Sequence, residues 1–209
     1  MIIFLEKLKN NNILPIGVFS DKDLAARTAE LLLNNSIDIM EITLRTSEAY
    51  ECIEKIRNEF PEMTIGAGSI LTTDAYKESI DSGSQFGLSP GLDPELIAFS
   101  KKFDIPYVPG IATPSEMGIA LKSSNIIKIF PAILLGGVSY IKSVIAPFKM
   151  KDFYILPTGG INESNFEDFL GIDRVLSCGM SYVVDERLVE NKDFDALEKR
   201  IKHVSARWI

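Results

Sequence analysis

The strongest constraint on the fold is an alternation of short apolar runs with longer amphipathic stretches, repeated about eight times along the 209 residues. The apolar runs start at intervals of about 20 to 28 residues, a pattern typical of parallel βαβ units. We predict strands that begin near Ile13, Ile37, Met63, Gln85, Ile105, Asn125, Phe153 and Arg174. Eight such units predict an α/β protein of the (β/α)8 TIM-barrel type.

An open, doubly wound sheet is the alternative for this pattern. Such a sheet usually has a glycine fingerprint after its first strand, whereas Ile13–Phe19 runs directly into Ser20 and Asp21 without one. The glycine-rich turns follow later strands, which favours the barrel. No linker divides the chain, so we predict one domain over residues 1–209, with a short amphipathic helix at the apolar N-terminus.

Several helix starts are marked by capping residues. Ser20 followed by Asp23 resembles a capping box, in which a hydroxyl and a carboxylate satisfy the free backbone N–H groups of the first turn. The same logic predicts helix starts at Thr113–Glu116, at Asp93–Glu95 and at Asn162–Glu163.

Composition narrows the function. A net charge of −7 without a basic block argues against nucleic-acid and membrane partners. Cys52 and Cys178 show no metal-ligand spacing, so we expect reduced, buried thiols and a cytoplasmic protein. His203 is the single histidine, which argues against Ser-His-Asp catalysis and catalytic zinc, and we expect no metal. Acid–base chemistry would then come from carboxylate, lysine or tyrosine side chains.

Polar residues interrupt the second predicted strand. Side chains alternate along a strand, so Glu41, Thr43 and Arg45 share one face. Strands of a parallel barrel are buried on both sides, and active sites of this fold lie at the carboxyl ends of the strands. A structural ion pair between Glu41 and Arg45 is one interpretation. A functional role is the other, and we favour it because buried charges seldom stabilise a fold more than apolar side chains do.

Lys128 is the only charged residue in the apolar run Asn125–Pro131. Burial disfavours the ammonium form and so favours the neutral amine, which can attack a ketone and form a Schiff base. The alternatives are a lysine that extends outward from the strand end or one that pairs with a carboxylate. Together with Glu41 and Arg45, Lys128 provides what a Schiff-base enzyme needs: an amine, a proton carrier and a cation for a substrate carboxylate.

A longer series of motifs runs in order through the part of the chain from Ile13 to Tyr182. Its pieces are Glu41–Thr46, Gly66–Leu71, Ser89–Gly91, Pro109–Thr113, Lys128–Ala132, Gly136–Gly137 and Pro157–Ile161. Individual pieces are weak signals, but the ordered set is specific. The set resembles the KDPG/KHG aldolases, which cleave 2-keto-3-deoxy-6-phosphogluconate and 4-hydroxy-2-oxoglutarate.

The resemblance implies a class I aldolase that releases pyruvate and an aldehyde, needs no cofactor and forms a homotrimer. It implies that Lys128 forms the Schiff base and that Glu41 is the general acid/base. It also implies a set of substrate-binding residues around a carboxylate and a distal phosphate: Arg45, Ser69, Pro90, Phe130, Thr158, Gly159, Gly160 and Ser181. A phosphate site after strands seven and eight is also common in barrels of this type.

The chain departs from the family pattern near the proposed phosphate site. Ile133–Leu135 replaces residues that are more polar or smaller in the family, and Met180 replaces the second glycine of the usual Gly-Gly-Ser. The first strand also lacks the basic residue that some relatives have directly after it. These departures leave the aldehyde partner open. Three other functions stay open: a metal-dependent phosphosugar epimerase, a non-catalytic sugar-acid or phosphate-binding barrel, and an oxaloacetate decarboxylase that uses the same lysine.

Overall fold

A computed structural model of the chain describes residues 2–206, with side chains from residue 4 onward. Nine strands lie in these residues: β1 Ile13–Gly17, β2 Ile39–Thr43, β3 Thr64–Gly68, β4 Gly87–Leu88, β5 Tyr107–Val108, β6 Gly110–Ile111, β7 Ile126–Ile129, β8 Tyr154–Pro157 and β9 Cys178–Met180. The helices are α1 Ile2–Asn11, α2 Lys22–Asn34, α3 Ala49–Glu59, α4 Thr73–Asp81, α5 Pro94–Phe103, α6 Pro114–Ala120, α7 Gly137–Ile145, α8 Phe166–Leu170, α9 Glu186–Glu190 and α10 Phe194–Ser205. A 3₁₀ turn, Ala146–Phe148, follows α7.

The strands form a curled, parallel α/β arrangement in two hydrogen-bonded sheets. One sheet has the order β5-β4-β3-β2-β1-β9, and the other has the order β6-β7-β8. All the strand pairs are parallel. Isolated bridges join Ile155 to Val175 and Thr158 to Gly179, so β8, the edge strand of the second sheet, and the residue after it lie beside β9 and the residues before β9.

The predicted strands agree with the observed ones to within a few residues. Each begins at or shortly after its predicted start, and the fifth is split by Pro109 into β5 and β6. The helix starts at Thr113 and Asp93 are confirmed, because each side chain accepts a backbone N–H of the first turn of its helix. The Glu116 carboxylate reaches back across this cap, since it accepts the Ala112 N–H at 2.8 Å and the Thr113 hydroxyl at 2.9 Å.

Two of the predicted helix starts were wrong. The cap of α2 is Asp21 and not Ser20, because the Asp21 carboxylate accepts both the Asp23 and the Leu24 N–H groups. The helix α8 begins at Phe166 rather than near Asn162, since Asn162 Oδ1 accepts the Ser164 N–H in a local turn. Asn and Asp side chains form such turns as readily as helix caps, and the sequence pattern does not distinguish the two.

Apolar residues form two separate cores. The larger lies between the sheets and the surrounding helices, and the smaller lies on the inner side of the strands. The smaller core is formed by Phe4, Leu8, Leu14, Ile39, Phe86, Leu88, Val108, Ile126 and Leu156. Phe4 and Leu8 belong to α1, so the N-terminal helix closes the end of the structure where the strands begin. The predicted amphipathic helix therefore has a packing role.

Within residues 2–206 no helix combines the length and the apolar character needed to cross a membrane. Cys52 and Cys178 are both free and buried, as predicted.

Candidate active site

A lysine and a glutamate meet on the inner side of the strands, directly above the smaller core. Lys128 Nζ lies 3.7 Å from Glu41 Oε1, and the two side chains are 7% and 1% exposed. Burying charged groups is costly unless they are paired or have a function. Within the described part of the chain, Glu41 Oε2 has no hydrogen-bond partner. A buried carboxylate oxygen of this kind is rare in folded proteins and calls for a functional explanation.

Strand register brings the two groups together. Glu41 lies on β2 between Ile16 of β1 and Gly66 of β3, and Lys128 lies on β7 between Gly110 of β6 and Leu156 of β8. The two residues belong to different sheets, so their contact is made across the interior by side chains.

Gly68 leaves the space that the Glu41 carboxylate occupies. A methyl group at Gly68 would lie 1.7 Å from Glu41 Oε1 and 2.4 Å from its carboxyl carbon. Real Cβ atoms do not approach other heavy atoms so closely, and Gly68 is therefore required by the position of Glu41. Sequence reasoning identified Gly66–Leu71 as a motif but did not predict this contact.

Arg45 lies beyond the end of β2, at the mouth of the site. Its side chain is exposed, and its Nε donates to Ser69 Oγ at 3.3 Å. Ser69 has a positive φ of 60°, which turns the chain sharply at the end of β3. Arg45 does not pair with Glu41, because Lys128 takes that place. The structural Glu41–Arg45 ion pair considered from the sequence is therefore not formed.

All ten residues predicted for the site border one cavity. They are Glu41, Arg45, Ser69, Pro90, Lys128, Phe130, Thr158, Gly159, Gly160 and Ser181. The Phe130 ring forms a wall beside the amine, with Lys128 Nζ 5.6 Å from the ring centroid. Three further lining residues, Ile16, Ile161 and Gly179, were not predicted. Ile16 shares an inner face with Leu14, and this alternation in β1 was a usable signal.

The glycine turn after β8 forms the wall next to Phe130, since a methyl group on Gly159 would lie 3.2 Å from the Phe130 ring. Gly159 and Gly160 have φ values of 101° and 78°, which side-chain-bearing residues rarely adopt. A methyl group on Gly160 would lie 2.9 Å from Ile133 Cβ. Ile133 N also donates to the Gly159 carbonyl at 3.1 Å. The unusual Ile133 thus supports the glycine turn by packing against it.

Met180 is fully buried in the larger core, and it does not line the cavity. Its neighbours Gly179 and Ser181 do line it. A methyl group on Gly179 would lie 2.4 Å from Thr158 Oγ1, so the glycine makes room for that hydroxyl. The departure at Met180 therefore changes the core and leaves the lining intact.

Within residues 2–206 no cluster of three or more His, Cys, Asp and Glu side chains is arranged to hold a metal ion. The arrangement instead presents a buried amine, a carboxylate with a free oxygen and an exposed guanidinium around one cavity. This set can add an amine to a carbonyl, move protons and bind a carboxylate.

Comparison with known proteins agrees with this chemistry. The family model described as KDPG and KHG aldolase matches residues 4–200. The chain belongs to this family. It is 34% identical over 193 residues to the KHG/KDPG aldolase of Escherichia coli, with 92% of this chain and 90% of that protein covered. It is 31% identical over 201 residues to the 2-dehydro-3-deoxy-phosphogluconate aldolase of Haemophilus influenzae, covering 96% and 94%.

A solved relative shows the intermediate expected of this chemistry. The KDPG aldolase of Legionella pneumophila was captured at low pH with pyruvate as a covalent carbinolamine. That structure matches this one with a TM-score of 0.89 and 31% identity, over 95% of this chain and 96% of the other. The chain is accordingly a lyase, an aldolase of the Schiff-base class.

Proposed function

We propose that this aldolase cleaves a substrate of the 2-keto-3-deoxy-6-phosphogluconate or 4-hydroxy-2-oxoglutarate type into pyruvate and an aldehyde, with Lys128 as the nucleophile. The observation that carries the proposal is the Lys128–Glu41 pair. Its atoms lie 3.7 Å apart, and both side chains are buried beside a cavity that Arg45 also lines.

In this mechanism the Lys128 amine adds to the C2 ketone and gives a carbinolamine. Loss of water then gives an iminium, which draws electrons from the C3–C4 bond as a base removes the proton of the C4 hydroxyl. The aldehyde leaves, C3 of the enamine is protonated, and hydrolysis releases pyruvate and the free amine. Glu41 is the proton carrier, since its Oε2 is available to a substrate hydroxyl or water while Oε1 faces Lys128.

Arg45 and Ser69 bind the carboxylate next to the ketone. A guanidinium is suited to a carboxylate, because its N–H donors match the two oxygen atoms. The Ser69 hydroxyl holds the Arg45 side chain by a 3.3 Å contact and offers a second donor. Phe130 and Pro90 exclude water on the sides of the amine.

Thr158, Gly159, Gly160 and Ser181 bind the distal end of the substrate. The two glycines carry no side chain to block the cavity, and their positive φ angles present backbone to it. Hydroxyl and backbone N–H donors of this kind commonly bind phosphate after the last strands of a barrel.

We also propose that the two sheets close into a single (β/α)8 barrel, which forms one domain over residues 1–209. The split strand β5–β6 supports this proposal, because it takes part in both sheets, and so do the bridges from β8 and its following turn to residues 175 and 179. A homotrimer in the cytoplasm is the assembly we propose. Leu71, Ile133 and Leu134 are 69%, 38% and 87% exposed, and apolar surface of this kind favours association. Sedimentation of a monomer would contradict the trimer.

A coupled assay tests the proposed reaction. Pyruvate release is followed with lactate dehydrogenase for each of the two substrates, with the natural protein and with Lys128→Met. We expect turnover by the natural protein, unchanged after dialysis against a chelator, and none by the variant. Substrate binding by the natural protein without turnover would favour the non-catalytic barrel, and activity that a chelator removes would favour a metal enzyme.

A further inference from the structure

A second, larger cavity adjoins the one that contains Lys128. The two share five lining residues, namely Ile16, Arg45, Gly160, Ile161 and Ser181, and the outer cavity continues to Asp185, Glu186 and Arg187. The inner cavity measures about 80 Å³ and the outer about 540 Å³. A substrate whose ketone reaches Lys128 therefore places its distal part in the outer cavity.

Two carboxylates and two guanidinium groups line the outer cavity, and they are not equivalent. Asp185 Oδ2 is 2.9 Å from Arg200 Nη1, and Asp185 Oδ1 accepts the N–H groups of Arg187 and Leu188. Although burial alone would raise it, these contacts lower the pKa of Asp185. Asp185 is thus a carboxylate whose charge is already compensated.

Arg187 is held only loosely by comparison. Its Nε lies 3.8 Å from Asp185 Oδ1, and its side chain is 88% exposed. Since Arg200 already compensates Asp185, the Arg187 guanidinium keeps donors for a ligand in the cavity. Glu186 is also exposed, and its carboxylate repels an anion in the outer cavity, which reduces the net attraction that Arg187 provides.

Apart from Arg45, which is assigned to the carboxylate next to the ketone, the side of the outer cavity formed by β1 and β2 has no cation among the described residues. Strand β1 and its following residue contribute Ile16 and Val18, both apolar, and Phe19 is buried in the larger core. Lys22, the first basic residue after β1, is paired with Glu51 at 3.0 Å on the surface. Of the two guanidinium groups that line the outer cavity, Arg187 is therefore the one left to add its charge to the hydroxyl and backbone donors around an anion at the outer end.

We propose that Arg187 binds the terminal phosphate of a phosphorylated 2-keto-3-deoxy sugar acid, and that it makes such a substrate preferred over 4-hydroxy-2-oxoglutarate. The second carboxylate of 4-hydroxy-2-oxoglutarate is attached to C4, the carbon at which the bond breaks, so it stays near Lys128. A phosphate on C6 extends two carbons further, toward Arg187. Guanidinium binds phosphate through two parallel N–H donors, which a lysine cannot reproduce.

This inference rests on the proposed function, and its test is kinetic. The values of kcat and KM are measured with 2-keto-3-deoxy-6-phosphogluconate and with 4-hydroxy-2-oxoglutarate for the natural protein, Arg187→Ala and Lys142→Ala. Lys142 is exposed on α7 and does not line either cavity, so it controls for the change in net charge. We expect Arg187→Ala to raise KM for the phosphorylated substrate about tenfold, the size of one charge-assisted hydrogen bond at a partly exposed site.

For Arg187→Ala we expect kcat with both substrates, and KM for 4-hydroxy-2-oxoglutarate, to stay within about twofold of the values of the natural protein. Lys142→Ala should change neither kcat nor KM for either substrate. Equal effects on both substrates, or no effect on either, would overturn the role of Arg187.

Binding of glycerol 3-phosphate, measured by calorimetry, gives a readout without turnover. Binding by the natural protein that weakens about tenfold in Arg187→Ala would support the inference even if neither substrate were cleaved, in which case only the proposed function would fail. Turnover of the phosphorylated substrate with unchanged glycerol 3-phosphate binding in Arg187→Ala would overturn the inference and leave the proposed function standing.

Discussion

The lower and upper halves of the same strands have opposite chemistry. Ile39, Ile126 and Leu156 point inward and pack in the smaller core, which α1 closes. Two residues further along each strand the inward positions carry Glu41, Lys128 and Thr158, all of which line the cavity. The backbone is the same in both halves, so the difference comes from side chains alone. The lower half stabilises the fold, and the upper half carries the chemistry at a cost in stability.

Replacing Glu41 with Gln tests the upper half and has the largest expected effect. The amide keeps the shape of the side chain but cannot accept and return a proton, so we expect kcat to fall about 10²- to 10⁴-fold. Circular dichroism and the thermal midpoint should show a folded protein. Near-normal turnover would remove Glu41 from the role of proton carrier.

Shortening Leu8 tests the lower half. Leu8 is fully buried under the strands, and Leu8→Ala should lower the free energy of unfolding by about 2–5 kcal/mol. At a temperature where the variant is folded, kcat should stay within about threefold, because the residue touches neither Lys128 nor Glu41. Met150→Ala, at a side chain that is 99% exposed, is the matched control and should change stability by less than about 0.5 kcal/mol. A large loss of kcat in folded Leu8→Ala would show that the two halves are not independent.

Gly68→Ala tests whether packing and catalysis depend on each other at one position, because the added methyl group must displace the Glu41 carboxylate. We expect kcat to fall at least tenfold and stability to fall by about 1–3 kcal/mol, the usual cost of overpacking a core. The control is Gly118→Ala in α6, where the nearest heavy atom to the new methyl group would be 3.8 Å away. That change should leave kcat unaltered and raise stability slightly, since alanine favours helix. Equal kinetics for the two variants would contradict the contact between Gly68 and Glu41.

Alkaline pH should lower the stability of the folded protein through ionisable groups in the larger core, and this is the smallest of the expected effects. Burial raises the pKa of Cys52 from 9.0 to about 12 and also raises the pKa values of Tyr76, Tyr107 and Cys178. The folded protein keeps protons that the unfolded chain loses above about pH 9, so stability should fall as pH rises from there. The urea midpoint at pH 7, 9 and 10.5 measures this; a midpoint that rises between pH 9 and 10.5 would contradict the burial of these groups.

The sequence predicted the upper half better than its surroundings. Lys128 was recognisable as the only charge in an apolar run, and Glu41 as part of a polar face on a strand expected to be buried, because such charges are rare without a function. Their mutual contact was not predictable, since it depends on register across two separate sheets. The sequence identified Gly68 only as a member of the Gly66–Leu71 motif. Its role, which is to leave space for the Glu41 carboxylate on the neighbouring strand, depends on the tertiary structure.

Loop-borne features were predicted least well. Asp21 was passed over as the cap of α2, and Asn162 was taken for a helix start, because Asx turns and caps use the same residues. Arg187 had no signal in the sequence, where it is one of many surface cations. Only the tertiary structure, which packs α9 against α2 and α10, brings Arg187 to the outer cavity that Gly160 also lines.

Borohydride trapping with pyruvate tests the central claim most directly. The natural protein and Lys128→Met are reduced in the presence of pyruvate, and intact mass and peptide mapping locate the adduct. A reduced pyruvyl group on Lys128, absent from the folded variant, is the predicted result. An adduct on another lysine, or no adduct on folded natural protein, would contradict the assignment of Lys128 as the nucleophile.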